Sequence, residues 1–265
     1  MTTSSVAGAI RAALLTSEPQ AKVMAARAVA RDWRLGKLDF RFDAAMPDRP
    51  GRPERPELLA PRHMPKRRRA QSLRGRLALY HALAHIEFVA IDLALDMAGR
   101  FGAGMGRDFV GEFLGVAADE AMHFALLDRR LRALGSFYGA LPAHDGLWDA
   151  AHETRHDPAA RLAIVPMVLE ARGLDVTPGT IDRLVEAGDE TGAKLLRRIL
   201  NDEIRHVQVG TRHFNAVCER RGQLPENEWK SLVNRHFRGA VKPPFNNSAR
   251  EAAGLSRSYY GSLAY

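Results

Sequence analysis

Apolar positions recur every three or four residues through most of this chain, which is the spacing of helices that bury one face. From about Ser72 to Met97 the stripe reads Leu73, Leu77, Tyr80, Ala84, Glu87, Ile91 and Leu95, so a glutamate stands inside it. Gly99, Gly102, Gly104 and Gly106 are read as the break before a second helix, about Asp108 to Leu134. Its stripe, Phe113, Ala117, Glu120, Phe124, Leu127, Leu131 and Leu134, again has a glutamate in the middle. Asp157-Pro158 supplies a cap and a first-turn proline for a third helix ending at Arg172. Within it Pro166 predicts a kink one turn before Glu170, and Gly173 is the expected cap. Thr177-Pro178-Gly179 is expected to open a short helix, and a fourth long helix should cover about Asp189 to Arg221. Leu196, Ile199, Glu203, His206, Gly210, His213 and Val217 share one of its faces.

The remaining segments predict an all-α fold with additions. Residues 5–31 form an amphipathic arm divided at Glu18-Pro19, and residues 33–63 read as a proline-rich extended segment. A loop-rich stretch, 135–157, has one helical turn around Trp148, and a further helix lies near Trp229–Phe237. The expected division is an arm and extended segment at 1–69, a four-helix bundle at 70–222 and a C-terminal extension at 223–265. Fifty residues from Glu120 to Glu170 are too many for a tight turn, which predicts one long crossover. In the first half, Glu87 lies 12 residues before Gly99 and Glu120 14 after Gly106, distances that let a hairpin bring the two to similar height.

The candidate chemistry lies in two Glu-x-x-His pairs, Glu120/His123 and Glu203/His206, each with a lone glutamate 33 residues upstream, Glu87 and Glu170. Residues i and i+3 share a helix face, so each pair offers an oxygen and an imidazole nitrogen to a common point. Fifteen glutamates and ten histidines in 265 positions give about 0.6 such pairs by chance, whereas three are present. The third, Glu153/His156, precedes the Asp157-Pro158 cap without an apolar stripe and is set aside. Four carboxylates gathered in apolar stripes would repel one another and lose hydration, and two divalent cations would offset both penalties. Oxygen-rich ligation with one imidazole per metal suits iron or manganese, with zinc able to occupy it in vitro.

Composition narrows the chemistry further. A single cysteine, Cys218, excludes an internal disulfide and a cysteine-based zinc or iron–sulfur site within one chain. The absence of an uninterrupted apolar run of 18 residues and of a signal-peptide pattern predicts a cytoplasmic protein with no membrane partner. Net charge is +8, and part of the excess lies in Arg62, Lys66, Arg67, Arg68, Arg69, Arg74 and Arg76. That block reads as a solvated surface run, with an RNA phosphate backbone as the alternative partner. His81 and His85 are expected in surface or interhelical hydrogen bonds, and His213, Tyr80, Phe113 and Phe124 in packing. Asp92 and Asp202 are candidates to orient ligand imidazoles.

Four strings, His81-Ala82-Leu83-Ala84-His85-Ile86-Glu87, Asp119-Glu120-Ala121-Met122-His123-Phe124, Glu170-Ala171-Arg172-Gly173-Leu174-Asp175 and Asp202-Glu203-Ile204-Arg205-His206-Val207, resemble the bacterial family of unknown function DUF455, within the ferritin-like superfamily. Lys242-Pro243-Pro244-Phe245-Asn246 is similar to the C-terminal signature of that family. The resemblance implies a ferritin-like four-helix bundle whose metal ligands are Glu87, Glu120, His123, Glu170, Glu203 and His206. A tRNA-modifying hydroxylase family looks like a distant relative. The expected function is a non-haem diiron oxidoreductase, an oxygen-dependent hydroxylase or oxidase of unknown substrate, with RNA modification as one alternative. Iron storage, or a structural or binding metalloprotein, is the other. Such an enzyme would act on a small molecule or on dioxygen or peroxide, as a monomer or small oligomer, and would draw electrons from an external donor.

Overall fold

A computed structural model of the chain describes residues 4–64 and 71–263, in two units, Met1–Trp148 and Asp149–Tyr265. Lys66, Arg67, Arg68 and Arg69, the centre of the basic run, lie outside the described residues. The chain is all-α, and its element order is that of a ferritin-like bundle: two long-helix hairpins, a crossover between them, an N-terminal arm and a C-terminal helical extension.

In the first unit Ser5 caps helix α1 (Val6–Leu15), its hydroxyl accepting from Gly8 N at 3.1 Å. The Glu18 carboxylate accepts from the Gln20 and Ala21 amides, and with Pro19 in the first turn it opens α2 (Pro19–Arg34). A two-residue parallel pair, β1 (Ser4–Ser5) with β2 (Leu38–Asp39), begins the extended segment. That segment is then held by backbone bonds from Gly51 N to Leu14 O and from Leu59 N to Ala143 O, both 2.8 Å.

Helix α3 (Leu73–Met105) runs a full two turns beyond the expected end at Met97. Gly99 and Gly102 are packing positions within it, not breaks. A Cβ on Gly99 would lie 2.3 Å from Met46 Sδ and 2.9 Å from Ile10 Cγ2, and one on Gly102 2.5 Å from Val110 Cγ2. Gly106 alone reverses the chain, at φ 96°, into α4 (Arg107–Ala133). The register of this hairpin is therefore measured from Gly106. Glu87 stands 19 residues before it and His123 17 after it, which at 1.5 Å per residue are levels about 3 Å apart. Among the described residues α3 is the helix long and apolar enough to cross a membrane, and 78% of that window is buried within the protein.

His81 and His85, on α3, serve the loop that follows α4. His81 Nε2 accepts from the Gly139 and Leu141 amides at 2.9 and 3.3 Å, so it carries no proton. His85 Nε2 faces the His144 carbonyl at 3.1 Å, where it can only donate. Nδ1 is then the acceptor for the Tyr138 hydroxyl at 2.9 Å. The short helix α5 (Gly146–Glu153) starts from this loop, and its Trp148 Nε1 donates to Asp48 O at 3.2 Å.

In the second unit Asp157 caps α6 (Pro158–Ile164), as the sequence predicts. The chain then widens into a π-helical segment, Val165–Glu170, and continues as α7 (Ala171–Glu186). Gly173 and Pro178 are thus inside a helix, and neither the predicted cap nor the predicted new start at Thr177 is formed. Pro178 has no N–H for the Leu174 carbonyl, and that carbonyl accepts instead from Asn246 Nδ2 at 3.2 Å. Gly188, at φ 72°, turns the chain into α8 (Glu190–Arg220). The C-terminal extension comprises α9 (Pro225–His236), α10 (Asn247–Ala252) and α11 (Arg257–Tyr260). Glu153 pairs with Arg238 at 3.0 Å on the surface, in keeping with its exclusion from the chemistry.

Two outcomes test this description. Gly173→Ala raises stability by about 0.5–1 kcal/mol in urea unfolding, because the site is helical and a Cβ there meets nothing within 4 Å; a glycine cap would give the opposite sign. Burial lowers the His81 pKa to about 4. A folded pKa depressed below the unfolded value of about 6.5 gives stability that is complete above 6.5 and lost as pH falls toward 4. Wild-type stability therefore drops more steeply than that of His81→Gln across this window, by about 1.4 kcal/mol per pH unit, in urea titrations at stepped pH.

Candidate metal centre

Glu87 from α3 and Glu120 and His123 from α4 converge between the two helices of the first unit. All three are buried, at 6%, 1% and 0% exposure. His123 Nδ1 lies 3.3 Å from Glu87 Oε2 and 3.3 Å from Glu120 Oε2. One ligand-type atom from each falls within 4.8 Å of the others, a spacing that fits shared coordination of an ion. The hairpin register explains the meeting, since Glu120 and His123 occupy one face of α4 and Glu87 lies at the level of His123. Phe88 and Phe124, each next in sequence to one of these residues, pack with tilted rings 5.3 Å apart between centres and are themselves buried.

The electrostatics mark this cluster as unfavourable without a cation. Burial and the neighbouring Glu120 carboxylate push the Glu87 carboxyl well above the usual range, against the opposing pull of His123. For His123, burial acts to lower the pKa, but hydrogen bonds and charge from Glu120 and Glu87 outweigh it and carry the imidazole to about 11. Both shifts say that the cluster retains positive charge, as protons, more strongly than isolated side chains do. A divalent ion meets the same demand without leaving a carboxylic acid in an apolar interior. Two carboxylates and an imidazole form a hard, oxygen-rich donor set suited to iron or manganese.

In the second unit Glu203 and His206 occupy one face of α8, with His206 Nδ1 3.5 Å from Glu203 Oε1 and both residues buried. Glu170 is half-buried at the last position of the π-helical segment. Tyr80, Phe113 and Phe124 are core residues, as predicted, and His213 is half-buried. Asp92 does not orient a ligand imidazole. It is fully buried and pairs with Lys22 Nζ at 2.5 Å and with Arg52, while Lys22 also donates to the Leu14 and Gly51 carbonyls. No signal in the sequence singles out Lys22, because a lysine on an amphipathic arm reads as a surface residue.

An all-α chain in which paired carboxylates and a histidine meet inside a long-helix hairpin defines a ferritin-like protein with a candidate metal-binding cluster. The chain belongs to the family described as "Protein of unknown function (DUF455)", whose model matches residues 15–261. It is 41% identical over 211 residues to an "Uncharacterized protein" of Haemophilus influenzae, covering 77% of this chain and 73% of that protein. No solved structure matches the chain.

The charge argument has a measurable consequence. Glu87→Gln raises the thermal stability of chelator-treated protein at neutral pH, because it removes a carboxyl whose ionisation the fold opposes. The same substitution shrinks the stabilisation that added Mn(II) confers, read by thermal unfolding with and without the ion.

Proposed function

We propose that Glu87, Glu120, His123, Glu170, Glu203 and His206 together hold two iron ions, and that the protein is an oxygen-dependent oxidoreductase. The buried meeting of Glu87, Glu120 and His123 carries the reading. Evenly divided, the set gives each ion two carboxylates and one imidazole, so two divalent charges balance four negative ones. Bound iron would supply reductive activation of dioxygen, which a side-chain acid or base cannot. Manganese is the alternative metal, and zinc is expected to compete in vitro.

The protein's own part is to bind, orient and seal. The carboxylates would hold the ions, with Glu87, Glu120 and Glu203 themselves buried, and the buried Phe88–Phe124 pair keeps the neighbourhood of Glu87 and His123 apolar. Electrons come from an external donor in this reading, and the reaction is hydroxylation or oxidation of a small molecule, or consumption of dioxygen or peroxide alone. The resemblance to diiron tRNA hydroxylases keeps RNA as the alternative substrate.

The reading is tested by anaerobic ferrous titration followed by oxygen. Two irons per chain, with an oxygen-dependent change in the visible spectrum, is the expected result. Glu87→Ala and Glu203→Ala should each bind less iron and lose that change. A purified chain that takes up no iron, or whose iron is indifferent to oxygen, would remove the oxidoreductase assignment.

A further inference from the structure

Gly210 on α8 lies so close to Pro166 that a Cβ on it would stand 2.3 Å from Pro166 Cβ and 2.4 Å from Cγ. The proline ring occupies the space a side chain would take. Pro166 has no N–H for the carbonyl four residues back, and its ring presses on that carbonyl, so an unbroken α-helix is disfavoured there. The turn widens instead, and the Ala171 amide bonds to Pro166 O, five residues earlier.

Two consequences concern Glu170. The widened turn contains one residue more than an α-turn, so side chains toward its end, Glu170 among them, are rotated away from where an unbroken α-helix would aim them, by up to roughly 100°. Glu170 is also the residue one turn past Pro166, while His206 is one turn before Gly210 on the facing helix. Segments α6, Val165–Glu170 and α7 all pack along α8, and the chain reverses at Gly188, so the two rods run antiparallel. One step of about 5.4 Å from the Pro166–Gly210 contact therefore reaches Glu170 on one rod and His206 on the other.

We infer that the Pro166–Gly210 contact and the π-helical turn it accompanies are the positioning device for Glu170, setting its height against His206 and its direction toward α8. Pro166 and Gly210 are positioning residues, since neither offers a ligand atom. The inference rests on the reading of Glu170 as a metal ligand given above.

The test uses Co(II) as probe, with stoichiometry and visible absorption read beside urea unfolding of the full chain. Pro166→Ala restores an N–H and relieves the ring, so it should unfold at the same or higher urea than wild type. It should nevertheless bind the second cobalt about tenfold or more weakly, as expected when a ligand is misdirected. Gly210→Ala should weaken the same site, and Gly173→Ala, also in this rod but clear of any neighbour, should bind as wild type does. Wild type that takes up two ions while Pro166→Ala takes up both as tightly overturns the inference alone. Wild type that takes up no pair of ions overturns the metal-centre reading and the inference together. Should Gly210→Ala fail to fold, Pro166→Ala decides.

Discussion

Burying two glutamates against each other between long apolar helices is the constraint on which the first unit turns. Glu87 and Glu120 are removed from water by α3 and α4, with His123 between them. The same helix shows how the fold neutralises a carboxylate when no external ion is wanted. Five residues after Glu87, Asp92 is met by Lys22 from the N-terminal arm and Arg52 from the extended segment. That arrangement ties three distant stretches of chain together, and losing one partner of such a buried pair typically costs about 3–5 kcal/mol. Glu87 is met by another carboxylate and an imidazole instead. One buried acid closes the structure, and the other belongs to the cluster proposed to receive a cation.

The second unit repeats the division of labour. Asp175 accepts from Arg250 at 2.7 and 2.8 Å in a buried pair, and from the Asn246 amide at 3.0 Å. The Arg250 guanidinium also lies over the rings of Tyr260 and Phe245, at 4.5 and 5.1 Å from their centres. This acid is structural, like Asp92. Glu203 is paired instead with an imidazole on its own helix, His206, the combination also seen at Glu120 and His123.

Much of this was legible in the sequence because the informative signals are local. A glutamate inside an apolar stripe, a Glu-x-x-His pair and an Asp-Pro helix start each declare themselves within a turn or two of helix. Glycine and proline are ambiguous in the sequence for a physical reason. Glycine serves either to reverse a chain or to admit a close neighbour, and the neighbours of Gly99 and Gly102 include Met46, Ile10 and Phe42, more than fifty residues away. Pro178 is tolerated in mid-helix because Asn246, 68 residues later, serves the carbonyl it leaves. The true partners of Asp92 are equally remote, 70 and 40 residues away.

The remote partners also explain why Glu170–Asp175 and Lys242–Asn246, two of the strings that resemble the family, occur together. They form one clasp. Arg172 donates to the Lys242 and Pro244 carbonyls, Asn246 serves Leu174, and Asp175 receives Asn246 and Arg250. Of the residues in these strings only Glu170 has a chemical role in the proposed centre, and the others hold the helix that begins immediately after it. A ligand at the end of a π-helical turn is vulnerable, because a widened turn can relax to an α-turn by rotating whatever follows. Clamping α7 from its first two turns resists that rotation. The clasp and the Pro166–Gly210 contact therefore bear on the same side chain from opposite ends, one fixing the rod beyond Glu170 and the other the turn before it.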